Sequence, residues 1–167
     1  MGVKETIAFL GDSGTVCPIL MKKLAEQGYR LLLVSEDLTD ANLQEITGDV
    51  ELVECAKDGC WEADIIAVVD PEKIGTQMVN RIKDVATQKI VLCIESDETD
   101  KSSFSSEELN SLQAEFPYSK LVYINVDFQQ MRAEVHSDDQ EARDSISDIF
   151  EISGFSIIKE KNINSVK

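Results

Sequence analysis

The chain has 167 residues, 43% of them apolar, which is enough for one domain with its own core. Acidic residues outnumber basic ones 32 to 16 and no basic cluster offsets them, so nucleic acid and anionic membrane are excluded as partners. The longest apolar runs, such as Ile65 to Val69, are too short to cross a bilayer, and the opening MGVKETIAFL lacks the features of a secretory leader, so a cytoplasmic protein is expected.

The first strand is expected at Thr6 to Leu10, an apolar run ending before Gly11. A helix should follow from about Thr15 to Gln27, with Val16, Ile19, Leu20 and Leu24 on one face, Pro18 in its first turn and Gly28 at its end. Arg30 to Val34 is almost continuously Leu and Val, as suits a strand buried on both faces of a parallel sheet. A short helical stretch at about Asp40 to Ile46 leads to a third strand near Val50 to Cys55. The stretch from Cys55 to Trp61 reads as a connection, with Trp61 either a half-buried anchor or an edge contact to a second copy.

A fourth strand is expected at Asp64 to Val69, and Pro71 starts a helix with the stripe Ile74, Met78, Ile82 and Val85. Strand five is Lys89 to Ile94. The polar segment Glu95 to Ser106 reads as a loop, and Ser105 with Glu108 as the capping box of a helix carrying Leu109, Leu112 and Phe116. Lys120 to Ile124 and Arg132 to His136 are strands. Asp138 and Glu141 mark a further helix with the apolar face Ala142, Ile146, Ile149 and Phe150; Gly154 ends it, and Phe155 to Lys159 is the last strand. Alternating strands and helices predict a three-layer α/β fold, a mostly parallel twisted sheet with helices on both faces. Residues 1–161 form the single domain, and 162–167 a tail.

The turn after strand one carries the chemistry. A dinucleotide site needs tight turning, close backbone approach to the pyrophosphate, and close helix–strand packing, which the spacing GxGxxG supplies. Here the turn reads Gly11-Asp12-Ser13-Gly14-Thr15-Val16-Cys17. With Gly14 as the central glycine, Asp12 and Cys17 stand at the outer positions, so the motif is degenerate. Glu36 follows the second strand at the spacing where a carboxylate reaches the ribose hydroxyls, and no Arg or Lys follows it closely, which favours NAD over NADP. A solvated charge at a strand end is the alternative reading of Glu36.

The strand ends expected to face a ligand carry Asp12, Glu36, Asp70, Glu95 and Asp127. A carboxylate about 4 Å from one phosphate charge costs up to ~4 kcal/mol at an effective dielectric of ~20. A helix N-terminus returns only about 0.3–2 kcal/mol. Either Asp12 turns away, or the crevice has lost the dinucleotide. A divalent cation among these acids is a further reading.

The same residues resemble a known family. The stretch Ile7-Ala8-Phe9-Leu10-Gly11-Asp12-Ser13-Gly14-Thr15-Val16-Cys17 is similar to the opening of NADP reductases that use the deazaflavin coenzyme F-420, and of related oxidoreductase N-terminal domains. Ala25-Glu26-Gln27-Gly28-Tyr29 resembles the end of that family's first helix, and Ala63 to Val69 followed by Pro71 its fourth strand. Ser137 to Ala142 and Ser153-Gly154-Phe155 resemble its last helix and strand. The resemblance implies a Rossmann fold and an NAD(P) cofactor; the turn and strand-end positions make Gly11, Asp12, Ser13, Gly14, Thr15, Val16, Ser35, Glu36, Asp70 and Pro71 the residues expected to hold it.

Where the family reads the 2′-phosphate with Ser-Arg, this chain has Ser35-Glu36, and its Asn-Thr after strand six is matched loosely by Asn125-Val126. The likeness stops short of the C-terminal helical region that completes the family's substrate pocket, so it does not extend to deazaflavin chemistry. Any activity it implies is that of an NAD(P)-dependent oxidoreductase, with no catalytic residue standing out. The alternative is a non-catalytic Rossmann domain that has lost the dinucleotide and acts through a homodimer or protein partner.

Two other sites are weighed and set aside. Gly11-Asp12-Ser13 also resembles the opening block of GDSL-type hydrolases, but Ala133 stands three residues before the only histidine, His136, where those enzymes need aspartate. His136 therefore reads as a strand residue. Cys17, Cys55, Cys60 and Cys93 have no CxxC spacing, so no zinc site is expected and the thiols read as reduced; Cys17, Cys55 and Cys93 fall on or beside core elements.

Overall fold

The computed structural model describes residues 5–10, 17–34, 48–53, 55–69, 75–96 and 113–159. Eight strands form one sheet: β1 (Thr6–Leu10), β2 (Arg30–Val34), β3 (Val50–Val53), β4 (Ile65–Val69), β5 (Ile90–Ser96), β6 (Lys120–Asp127), β7 (Arg132–His136) and β8 (Ser156–Lys159). Their order is β3-β2-β1-β4-β5-β6-β7-β8. Every neighbouring pair is parallel except β6 with β7. Among the described residues the helices are α1 (Cys17–Glu26), α2 (Ala56–Glu62), α3 (Gly75–Ile82) and α4 (Gln140–Ile152).

Alternate residues of a strand point to opposite faces, and this divides the core in two. On one face Ile7, Phe9, Leu31, Leu33, Ala67 and Ile124 meet Leu20 and Leu24 of α1 and Ile146 and Phe150 of α4. On the other, Ala8, Leu10, Leu32, Val34, Ile66 and Cys93 meet Ala56 and Cys60 of α2, Val79 and Ile82 of α3, and Phe116. Each such Leu, Ile or Phe side chain contributes about 1.5–3 kcal/mol by leaving water. β1 and β2 are apolar after their first residue and β4 throughout, because both faces are covered, which is why these strands are legible as continuous runs.

Several boundaries follow the expectation closely: β1, β2 and β7 have the residues predicted for them. Helix α1 ends in a turn closed by Tyr29 N donating to Leu24 O at 3.2 Å, with Gly28 at φ 92°. Gly154 at φ 100° plays the same part after α4, where Phe155 N donates to Phe150 O. The N-cap of α4 is Asp139, whose carboxylate accepts from Ala142 N at 2.9 Å, not Asp138. Ser137 Oγ fixes the approach: it accepts from Asp139 N and donates to Leu121 O.

Three expectations are corrected. The Cys55–Trp61 connection is largely helix α2, which sequence periodicity hides because its buried positions are Ala56, Gly59 and Cys60 rather than large apolar residues. Trp61 is 71% exposed, so it anchors nothing in the core; Cys60 does that at 0% exposure, while Cys55 is exposed. Asn125 and Val126 lie inside β6 rather than after it, because β6 runs on to Asp127 to pair with β7. The expected stretch at 40–46, most of the helix at 105–112, and residues 162–167 lie outside the described residues.

Candidate functional site

The direction of the strands decides where a ligand can meet the backbone. β1 lies between β2 and β4, with Leu10 paired to Val34 on one side and to Val68 on the other. From β1 the chain order runs outward through β2 to β3, then resumes on the other side through β4, β5 and β6. The strand order therefore reverses between β1 and β4, the position at which open α/β sheets hold ligands outside the carboxyl ends of their strands.

The ten predicted site residues fall in the segments that leave these strand ends. Gly11 to Val16 connect Leu10 to Cys17, Ser35 and Glu36 follow Val34, and Asp70 and Pro71 follow Val69. All ten lie outside the described residues. What is described is their frame: three adjacent parallel strands that end together, and the ten-residue helix α1 beginning six residues beyond β1. An α-helix leaves its first amides unpaired, and those of α1 lie at its Cys17 end.

The predicted rim acids divide. Asp12, Glu36 and Asp70 lie outside the described residues, and Glu95 is within β5. Asp127 has a structural task. Its Oδ1 accepts from Gln129 N at 3.0 Å and Gln130 N at 3.1 Å, holding the turn into β7. Among the described residues no group of three or more His, Cys, Asp or Glu side chains could hold a metal ion.

His136 ends β7, paired with Tyr123, and its Nε2 is 3.4 Å from Glu134 Oε1. Four strand spacings of about 4.8 Å separate β7 from β1, roughly 19 Å in all, beyond the reach of a base serving the turn after β1. The Cys60 and Cys93 thiols are both pushed up to about 12 by burial, so they pack as apolar groups and stay protonated.

The opposite rim, where the parallel strands begin, is braced by polar contacts that the sequence did not reveal. Thr6 N donates to Asp64 Oδ2 at 2.9 Å while Asp64 N donates to Thr6 O at 2.8 Å, locking β1 to the start of β4. Burial, then the nearby Asp64 charge, raises the Glu5 carboxyl above its ordinary range. Burial followed by Glu5 and Asp148 raises the Tyr29 phenol. Lys89 Nζ donates to Cys60 O and Trp61 O, each at 2.6 Å, and sits 5.8 Å from the Trp61 ring centre. It thus satisfies carbonyls at the C-terminus of α2, where a cation also suits the helix dipole. No periodicity signals such a contact, because its partners are 28 and 29 residues apart.

No protein-family model and no curated protein matches the chain. Solved structures do match its fold. The pyrroline carboxylate reductase of Plasmodium falciparum, solved with NADP bound, superposes with a TM-score of 0.71 at 15% identity over 95% of this chain and 58% of that one. A diketoreductase gives 0.72 at 14% identity over 99% of this chain and 69% of that one. A variant imine reductase from Myxococcus stipitatus, in complex with NAD+, gives 0.68 at 14% identity over 94% and 55%. The chain thus spans less than two thirds of the pyrroline carboxylate and imine reductases. Its fold is the Rossmann-type α/β fold of NAD(P)-dependent reductases. At these identities the likeness defines the fold alone.

Proposed function

We propose that the chain is a nicotinamide-dinucleotide-binding Rossmann domain of oxidoreductase descent. NAD(P) lies over Gly14 and the start of α1, with Ser13, Thr15 and Val16 offering donors to the phosphates. Glu36 meets the ribose hydroxyls, and the Asp70-Pro71 segment stands near the nicotinamide. The reading rests on one observation above all: β1 is flanked in parallel by β2 and β4 at the point where the strand order reverses. It is supported by the NADP and NAD+ bound to two of the fold's neighbours. Hydride transfer is the chemistry such a domain serves, with NAD favoured over NADP by Glu36.

The obstacle is Asp12. Repulsion of up to ~4 kcal/mol from one phosphate charge outweighs the ~0.3–2 kcal/mol from the helix end, so affinity depends on where that carboxylate points. Titration of NAD, NADP and their reduced forms, followed by melting, tests the reading. Ligand at a hundredfold excess over its dissociation constant adds ~2.7 kcal/mol. No shift at about millimolar cofactor, the range of ~4 kcal/mol affinities, removes the proposal and leaves association through a protein partner. Asp12→Gly restores the first motif glycine and removes the charge, so it is expected to tighten binding. If the variant binds no better than the parent, the electrostatic account of the turn is wrong.

A further inference from the structure

The face of the sheet covered by α2 and α3 turns polar beyond Tyr123. There Asn125 and Asp127 of β6 stand beside Glu134 and Arg132 of β7, and Ile158 of β8 stands beside Glu134. These side chains share one face, since Ile124, Val126, Val135 and Ile157 point to the other. With Gln130 they line an open cavity of about 320 Å³, a size at the lower end of small-molecule sites.

Its charged groups are not paired with one another. Asn125 is only 8% exposed and lines the cavity. Arg132 stands directly opposite Asp127 across the β6–β7 pair, yet Nη1 donates to Gln130 Oε1 at 2.8 Å and no described carboxylate lies at salt-bridge distance. Asp127 gives Oδ1 to the turn amides and lines the cavity. Glu134 is a third of the way exposed on the same wall, with its Oε1 3.4 Å from His136 Nε2. A cation, two carboxylates and a buried amide thus line one small space, with the apolar Ile158 side chain, 38% exposed, at its edge.

We propose that this cavity binds a small zwitterion, an α-amino acid with an apolar side chain. Arg132 and the Asn125 amide take the ligand carboxylate. Asp127 and Glu134 take its ammonium, and Ile158 flanks its side chain. Paired charges suit a zwitterion because each end finds an opposite charge, whereas a singly charged ligand leaves one set of wall charges unanswered. The cavity lies at the carboxyl end of β6, three strand spacings or roughly 14 Å from β1. The inference does not rest on dinucleotide binding.

The test uses the full chain without any nucleotide. L-leucine, leucinamide and 4-methylpentanoate are titrated while backbone amide resonances are followed. L-leucine is expected to shift Gln129, Gln130 and Arg132 saturably, and each singly charged analogue to bind at least about tenfold more weakly. Arg132→Gln should weaken L-leucine and leave leucinamide unchanged; Glu134→Gln should weaken L-leucine and leave 4-methylpentanoate unchanged. Both positions reach solvent, and the two variants check one another should either fail to fold. Equal binding of all three probes, or no saturable shift with up to ~10 mM L-leucine, overturns the proposal.

Discussion

Gly59 sits on the buried face of α2, where a Cβ would stand 2.9 Å from Val34 Cγ2 and 3.4 Å from Val53 Cγ1. Gly59→Ala therefore sets two effects against each other. Alanine in place of glycine inside a helix stabilises by about 1 kcal/mol. Forcing a methyl into a packed core costs about 1–3 kcal/mol, and Val34 has no room to retreat, being 5% exposed between β1 and β3. The expected net loss is about 1 kcal/mol, or a fall of roughly 2–4 °C in melting temperature for a chain of this size. A double-mutant cycle isolates the contact. Val34→Ala alone should cost about 1–3 kcal/mol. Combined with Gly59→Ala, part of that loss is recovered, since the new methyl occupies the vacated space, giving a favourable coupling near ~1 kcal/mol. Urea unfolding of the four proteins measures it. A Gly59→Ala variant more stable than its parent, or strictly additive effects, would refute the close approach of α2 to β2.

Other outcomes follow from contacts described above. Lys89→Met should destabilise by about 1 kcal/mol, because two α2 carbonyls lose a charged donor at a half-exposed site; the emission of the single tryptophan, Trp61, should change with it. Asp139→Ala should cost about 0.5–2 kcal/mol in urea unfolding through loss of the α4 N-cap. In the native protein a thiol reagent should label Cys55 well before Cys60 and Cys93, as peptide mapping would reveal. Those two buried thiols also set an alkaline limit. Their folded pKa of about 12 stands above the ordinary thiol value of 9.0, so the folded state holds more protons between these values. Their contribution is complete below a pH of about 9 and is lost as pH rises toward about 12; replacing both with Ala should flatten this limb of a stability–pH curve measured by urea unfolding.

What could be read from the sequence depended on how each element is buried. β1, β2 and β4 are covered on both faces, so their composition alone marks them, and Gly28 and Gly154 signal the helix ends they form. α2 escaped because its core contact is made by Gly59 and Cys60, whose small size permits close approach and leaves no apolar stripe. The full length of β6 escaped because Asn125 and Asp127 are polar, and their place in the strand is dictated by pairing with Glu134 and Arg132. The same polar residues build the β6–β7 cavity, which only register brings together. The candidate dinucleotide residues rest on a local pattern, one glycine at a fixed place between a strand and a helix, and lie outside the described residues.

The distribution of charge explains why the turn after β1 is decisive. Arg30 pairs with Glu51 and Glu62 at the rim where β2 begins, and Lys89 caps α2 near the start of β5. Neither can reach a pyrophosphate at the far ends of the strands, because five residues of strand, about 16 Å, lie between. Arg132 is at the carboxyl rim, but beside β6 rather than β1. A carboxylate about 4 Å from a phosphate charge over β1 costs up to ~4 kcal/mol, against about 0.3–2 kcal/mol from the α1 dipole. In a chain with net charge −16 no long-range field compensates. On the proposed reading, dinucleotide affinity depends on where the Asp12 carboxylate points.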